Sequence, residues 1–344
     1  VGNIGGRWTP RTADPDAPAV ATGSHLDSVP EGGIFDGPLG VYAGLESVRA
    51  MQEAGVEPTR PVEVVSFTEE EGQRFGGGLI GSAVAAEDMT VDAALDIEDD
   101  EGIALGEALA DIGYRGEGQV DAAGWDAWIE LHIEQSERLV AADATAGIVT
   151  TIVGLVRCHV EFAGETDHAG ATLMTDRADA LAAASDFVLD VERVANERRS
   201  DSETVVATVG KLDVSPNAPN VIPGDVSLTV DVRDVQYDSI EHVIQGAREH
   251  LRTIEDERPI RTSMERPWDR APVEMSERCR DALSAAGRTA NIETLAMHSG
   301  AAHDTMHVAG VTDAALLFAP SRDGISHNPR EWTDWADCAD ATRV

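Results

Sequence analysis

Residues 18–67 read PAVATGSHLDSVPEGGIFDGPLGVYAGLESVRAMQEAGVEPTRPVEVVSF. The stretch spells a strand, a helix and a second strand. A short apolar run, residues 18–22, ends in Gly23-Ser24-His25. Residues 40–54 space their apolar side chains as a helix does, and residues 62–67 form a strand-like run rich in valine. Two strands joined by a helix build an α/β layer with a largely parallel sheet. In such open sheets ligands bind beyond the carboxyl ends of the strands, and His25 stands at one of those ends.

Outward from this unit, residues 125–140 are expected to form another helix. The middle of the chain changes character. Residues 151–162, 204–212, 226–233 and 259–264 are strand-like, and residues 176–199 and 239–255 are helical, the first opening at acidic Asp176. The order is β-α-β-β-α-β, the split βαβ arrangement. After it, residues 274–286 and 303–309 are expected as helices and 314–319 as a strand. An α/β domain is thus interrupted by an α+β domain. The expected boundaries are 1–150, 151–265 for the insert, and 266–344.

The chain has 344 residues, 63 Asp+Glu against 26 Lys+Arg, and a formal net charge of −37. Lys211 is the single lysine. Such acidity repels nucleic-acid phosphate and anionic membrane surfaces. Dense carboxylates with arginine in place of lysine resemble the proteins of salt-loving archaea, where molar salt shortens the Debye length to about 3 Å. A hydrophobic content of 42% is enough to build a core. Cys158, Cys279 and Cys338 show no metal-site spacing and no disulfide framework. With neither an apolar span nor a signal peptide, the chain is expected in the cytoplasm. Its first residues, Val1-Gly2-Asn3, read as mid-domain sequence.

Several polar clusters carry chemistry. Asp36 follows His25 in a glycine-rich turn, and the pair suits a divalent metal, with Asp27 placed to orient His25. Glu69-Glu70-Glu71 follows the strand 62–67. Adjacent carboxylates raise one another's pKa, and a cation relieves that cost. One can bind metal while its neighbour acts as general base. His132 lies in Leu131-His132-Ile133-Glu134-Gln135, and His303 in Ser299-Gly300-Ala301-Ala302-His303-Asp304.

Eight segments together carry a resemblance: GSHLDSVPEGGIFDGPLGV (23–41), SFTEEEGQRFGG (66–77), ELHIEQ (130–135), FAGETDHAGAT (162–172), DRADAL (176–181), PNAPNVIPGDVSLTVDVR (216–233), SGAAHD (299–304) and GISHNPRE (324–331). In this order the chain resembles the hydantoinase/carbamoylase family of dinuclear metal amidohydrolases. That family holds N-carbamoyl-L-amino-acid hydrolases, allantoate amidohydrolases and β-ureidopropionases, within the wider aminoacylase and carboxypeptidase-type metallopeptidase group. The resemblance implies a mixed, mostly parallel α/β catalytic domain and a ferredoxin-like insert acting as lid and dimerisation domain.

It also implies a site. Asp36 bridges two divalent ions, Zn2+ or Mn2+ with Co2+ or Ni2+ as substitutes. His25 and His303 complete different metals, joined by Glu71 on one and His132 on the other. Glu70 is the general base toward metal-activated water. His168, reaching the partner subunit's site, steadies the oxyanion. Asn220 and Arg233 hold the substrate carboxylate, and Gln135, Gly324 and Ser326 contact the rest of a carbamoyl or ureido substrate. Ser136, Leu173, Ala302 and Asp323 depart from the family's usual residues. Relative to the family, the chain lacks an N-terminal helical segment and stops early at the C-terminus. The expected reaction is hydrolysis of a linear C–N amide bond in a small carbamoyl or ureido carboxylate by a homodimer. The rival readings are an aminoacylase or dipeptidase on the same scaffold and a non-catalytic, truncated relative.

Overall fold

Helix Pro38–Glu53 shows how the first unit is built. Pro38 occupies its first turn, where a missing N–H costs nothing. Ala54 closes it, and Gly55 follows at φ 65. Leu39, Val41 and Ala43 are among its buried residues. The computed structural model describes residues 1–344 and divides into two units, Val1–Ile152 with Glu274–Val344, and Val153–Val273.

The strands in chain order are β1 Ile4–Trp8, β2 Ala19–His25, β3 Val62–Phe67, β4 Trp125–Ile133, β5 Ala146–Ile152, β6 Gly154–Ala163, β7 Val206–Ser215, β8 Asp225–Asp234, β9 Arg261–Arg270, β10 Val273–Glu274, β11 Thr294–Ser299 and β12 Ala314–Ala319. The first unit carries an eight-stranded sheet ordered β1-β3-β2-β4-β12-β5-β10, with β11 also on β5. Pairs β2–β3, β2–β4, β4–β12 and β5–β11 are parallel. The pairs β1–β3 and β5–β12 are antiparallel. The sheet is therefore mixed and mostly parallel. The carboxyl ends of β2, β3, β4 and β12 lie side by side, with Ala319 of β12 opposite Ile133 of β4.

The expected helix over residues 125–140 is corrected. Residues 125–133 are strand β4, and only Arg138–Ala142 is helical. Trp125, Ala127, Trp128, Leu131 and Ile133 are all buried. A central strand covered on both faces loses the in–out alternation, and its near-continuous apolar run also satisfies a helical spacing. Trp128 is fully buried and donates its indole N–H to Thr305 Oγ1 at 2.8 Å.

The second unit is α+β with a ferredoxin-like order: β6, helix Ala180–Arg198, β7, β8, helix Tyr237–Glu257, β9. Its sheet runs β7-β8-β6-β9, antiparallel throughout. Phe187, Val191 and Val194 from one helix and Ile240, Val243, Ala247 and Leu251 from the other pack against Val156, Val160, Phe162, Leu228 and Val230. Those residues recur three or four apart, as an amphipathic helix requires. The first of these helices starts later than its sequence suggests. Asp179, not Asp176, caps it by accepting the Ala182 N–H at 3.0 Å. No helix is long and apolar enough to cross a membrane.

Candidate metal centre

His25 is the last residue of β2, Glu70 and Glu71 follow the end of β3, and His132 is next to last on β4. The parallel strands thus deliver these side chains to one edge of the sheet. Asp36 arrives on the loop before helix Pro38–Glu53. Gly37 makes that turn possible: its φ is 81, and a Cβ there would lie 2.4 Å from the His25 ring.

Three groups of ligand-type atoms converge, each within 4.8 Å: His25–Asp36–His132, Asp36–Glu71–His327, and Glu130–His132–His303. The first two share Asp36, one oxygen to each side. Asp36 Oδ1 lies 2.9 Å from His132 Nε2 and 3.9 Å from His25 Nε2. Asp36 Oδ2 lies 3.1 Å from His327 Nε2, which is 3.4 Å from Glu71 Oε2. Glu70 Oε2 stands 3.7 Å from His25 Nε2.

The donor set fits divalent cations. His25 Nδ1 is 3.0 Å from the Asp27 carbonyl and His132 Nδ1 is 2.9 Å from the Ile133 carbonyl. Those contacts put a proton on each Nδ1 and turn each Nε2 toward Asp36, the ring orientation metal-bound histidines use. Glu71 Oε1 is buried without a hydrogen-bond partner, which is costly unless a cation takes it. Asp27 Oδ2 accepts the Glu71 N–H at 3.0 Å and ties the two segments together.

The electrostatics follow from packed carboxylates. Burial, then Asp304, Glu71, Glu130 and Asp36, hold the Glu70 carboxyl well above the usual range. Burial and Asp36 push Glu71 up to about 7. Burial opposes ionisation of Asp36 as well, but His132, His327 and Ser326 overcome it and hold that carboxyl well below its usual range. Burial likewise disfavours a charged His132, yet Asp36 outweighs it and raises the imidazole to about 9. His25 and His303 are lowered by burial and by His132. His327 is raised as well, by its hydrogen bond to Asp36, against the effect of burial.

His303 falls in neither of the two groups that share Asp36. It lies in the third group, its ring 4.5 Å from that of His132 and its Nε2 3.0 Å from Ser299 Oγ. Glu130, the carboxylate of that group, is occupied by protein donors: Ser24 Oγ at 2.7 Å, Thr305 N at 3.0 Å and Thr305 Oγ1 at 2.6 Å. The group around Glu71 is completed by His327 instead. Sequence reasoning gave His327 no role. Its signal was the segment GISHNPRE, but no local spacing connects it to Asp36 at the other end of the chain.

Gln135 sits at the same edge with φ 58. Its Nε2 donates to Asp36 Oδ2 at 3.0 Å and to Ser326 Oγ at 3.3 Å. Ser326 Oγ is 2.7 Å from Asp36 Oδ2, and Gly324 is the turn residue two positions earlier, at φ 62. The departure at Ser136 is absorbed locally, since its hydroxyl donates to Glu134, whose carboxylate also accepts the Arg138 and Leu139 N–H groups.

His168, Asn220 and Arg233 belong to the second unit. His168 is exposed, and its Nδ1 accepts the N–H groups of Gly170 at 3.0 Å and Ala171 at 3.1 Å. In the neutral ring the proton therefore sits on Nε2, which is left as a donor. Asn220 is exposed and its carbonyl accepts the Ala169 N–H at 3.0 Å. Arg233 Nε donates to Asp231 Oδ1 at 2.8 Å.

Fold and site together define a metal-dependent hydrolase, its α/β unit interrupted by an α+β unit. The chain belongs to peptidase family M20/M25/M40, whose model matches residues 21–344, and within it to the hydantoinase/carbamoylase amidases. It is 42% identical to an N-carbamoyl-L-amino acid amidohydrolase of Geobacillus stearothermophilus, over all of this chain and 83% of that one. It is 38% identical to an N-carbamoyl-L-amino-acid amidohydrolase of Paenarthrobacter aurescens, with the same coverage. Among solved structures, a hydantoinase/carbamoylase family amidase from Burkholderia multivorans superposes with a TM-score of 0.91 at 36% identity, covering 99% of this chain and 82% of that one.

Proposed function

We propose that this enzyme is an N-carbamoyl-L-amino-acid amidohydrolase using two divalent ions, one held by His25, His132 and Asp36 and the other by Asp36, Glu71 and His327. It is a hydrolase of C–N bonds in linear amides. The observation that carries the reading is Asp36, whose two carboxylate oxygens each face a separate group of ligands. Divalent ions held by these residues would supply polarisation of the amide carbonyl and a lower pKa for the attacking water.

The chain's own residues do the rest. Glu70 accepts the proton of the attacking water and returns it to the departing nitrogen. Burial and Asp304 hold that carboxyl above its usual range, which strengthens it as a base. Glu70 Oε2 stands 3.7 Å from His25 Nε2, so the base lies beside the proposed ligands. The reaction takes one water per carbamoyl group and yields the free amino acid, ammonia and carbon dioxide.

The further roles rest on the family resemblance. Asn220 and Arg233 hold the substrate carboxylate, and His168 of the partner subunit donates Nε2–H to the oxyanion. Gln135, Gly324 and Ser326 contact the substrate. The second unit is the lid and the homodimer contact, and the enzyme works in a salt-rich cytoplasm with Zn2+ or Mn2+ as the ions.

A substrate panel at molar KCl with added Mn2+ tests the assignment. N-carbamoyl-L-amino acids should be turned over faster than allantoate, N-carbamoyl-β-alanine, N-acetylamino acids or dipeptides. Turnover confined to the acetyl and peptide substrates would replace this reading with the aminoacylase one.

A further inference from the structure

Glu331 is 4% exposed and lies outside the roles above. Its Oε1 accepts the backbone N–H of Phe35 at 3.0 Å and of Asp36 at 3.1 Å. Its Oε2 is 2.9 Å from Ser326 Oγ, the hydroxyl that also touches Asp36 Oδ2. One carboxylate thus holds both the backbone of Asp36 and a side chain that touches its carboxylate. Room for it is made by a missing side chain: a Cβ on Gly33 would lie 2.1 Å from Glu331 Oε1. The residues after it grip the same loop. The Phe35 ring packs edge-on against Trp332 at 5.4 Å and tilted against Trp335 at 5.3 Å.

We propose that Glu331 is a positioning residue, which aims the two oxygens of Asp36 at the two ligand groups by hydrogen-bond geometry rather than by its charge. The inference rests on the reading of Asp36 as the ligand shared by two ions. Counting protons separates geometry from charge. The Ser326 hydroxyl has one proton and faces two carboxylates. A glutamine at 331 keeps an acceptor for both backbone N–H groups. Its amide donates to Ser326 Oγ, which frees the hydroxyl proton for Asp36. An aspartate keeps the charge but is one methylene shorter, so it cannot span from the Phe35–Asp36 backbone to Ser326.

The test is calorimetric titration of Mn2+ into chelator-treated full-length protein, with circular dichroism to confirm folding. Wild type should bind two ions; failure there counts against the dinuclear reading itself. Given two ions in wild type, Glu331→Asp should weaken binding about 10–100-fold, the usual cost of losing a group that orients a ligand. Glu331→Gln should stay within about threefold of wild type, because its hydrogen bonds survive. Gly33→Ala, which displaces the carboxylate without altering it, should weaken binding as Glu331→Asp does, and it serves where the aspartate variant does not fold. Wild-type affinity in Glu331→Asp or Gly33→Ala, or a loss in Glu331→Gln as large as in Glu331→Asp, overturns the proposal.

Discussion

Replacing Glu71 by glutamine should stabilise the metal-free protein, and increasingly so as pH rises from 4.5 to about 7. The Glu71 side chain is 6% exposed, and its Oε1 has no hydrogen-bond partner. Burial and the Asp36 charge push its carboxyl from 4.5 up to about 7. At about 1.4 kcal/mol per pKa unit, ionised Glu71 costs the native state about 3 kcal/mol. The sign follows from proton counts. Below pH 4.5 the group is protonated in both native and unfolded chains and costs nothing. Between 4.5 and about 7 the unfolded chain ionises first, the native chain holds more protons, and stability falls as pH rises. Above about 7 the whole penalty is present. Glutamine does not ionise, so Glu71→Gln should exceed wild type by about 3 kcal/mol at pH 8 and match it near pH 4.5. Urea titrations of chelator-treated protein at constant molar KCl measure the difference. Added Mn2+ should reverse the order, because the variant has lost a ligand of one proposed site and gains less from binding. Equal midpoints at pH 8 without metal, or a less stable variant, would refute the account of a carboxylate strained for want of a cation.

Glu70→Gln should lower kcat about 10²–10⁴-fold, the usual contribution of a general base, while calorimetry still finds both ions bound. The net charge of −37 should make the melting temperature climb with KCl, most steeply while the Debye length shrinks from about 10 Å at 0.1 M to about 3 Å at 1 M. A melting temperature indifferent to salt would remove the salt-adaptation reading.

The strand–helix–strand unit of residues 18–67 was legible because each element has its own period and its own stops: β2 ends at His25, and Pro38 opens the helix. The βαββαβ order of the second unit was legible for the same reason. Strand β4 was not, because burial on both faces erased its alternation. The edge strand β1 was not legible either. Ile4–Trp8 is largely exposed and carries two glycines, so no apolar run marks it. At the site, His25, Asp36, Glu70, Glu71 and His132 were legible because each sits beside a strand end or a glycine-rich turn. His327 was not. It is a half-exposed loop histidine at φ 54, and only the folded chain brings it to Asp36. Glu130 and Glu331 escaped for a related reason, since each acts on segments remote in sequence. His303 shows the converse, a histidine in a suggestive motif that folding places beside His132 and Glu130 but in neither group that shares Asp36.

The most direct measurement is ammonia release from an N-carbamoyl-L-amino acid by chelator-treated enzyme at molar KCl, as Mn2+ is returned stepwise. The site built around Asp36 predicts no turnover without metal and full turnover only as the second equivalent per chain is bound. Full turnover in the metal-free protein, or a maximum reached at one equivalent, would contradict it.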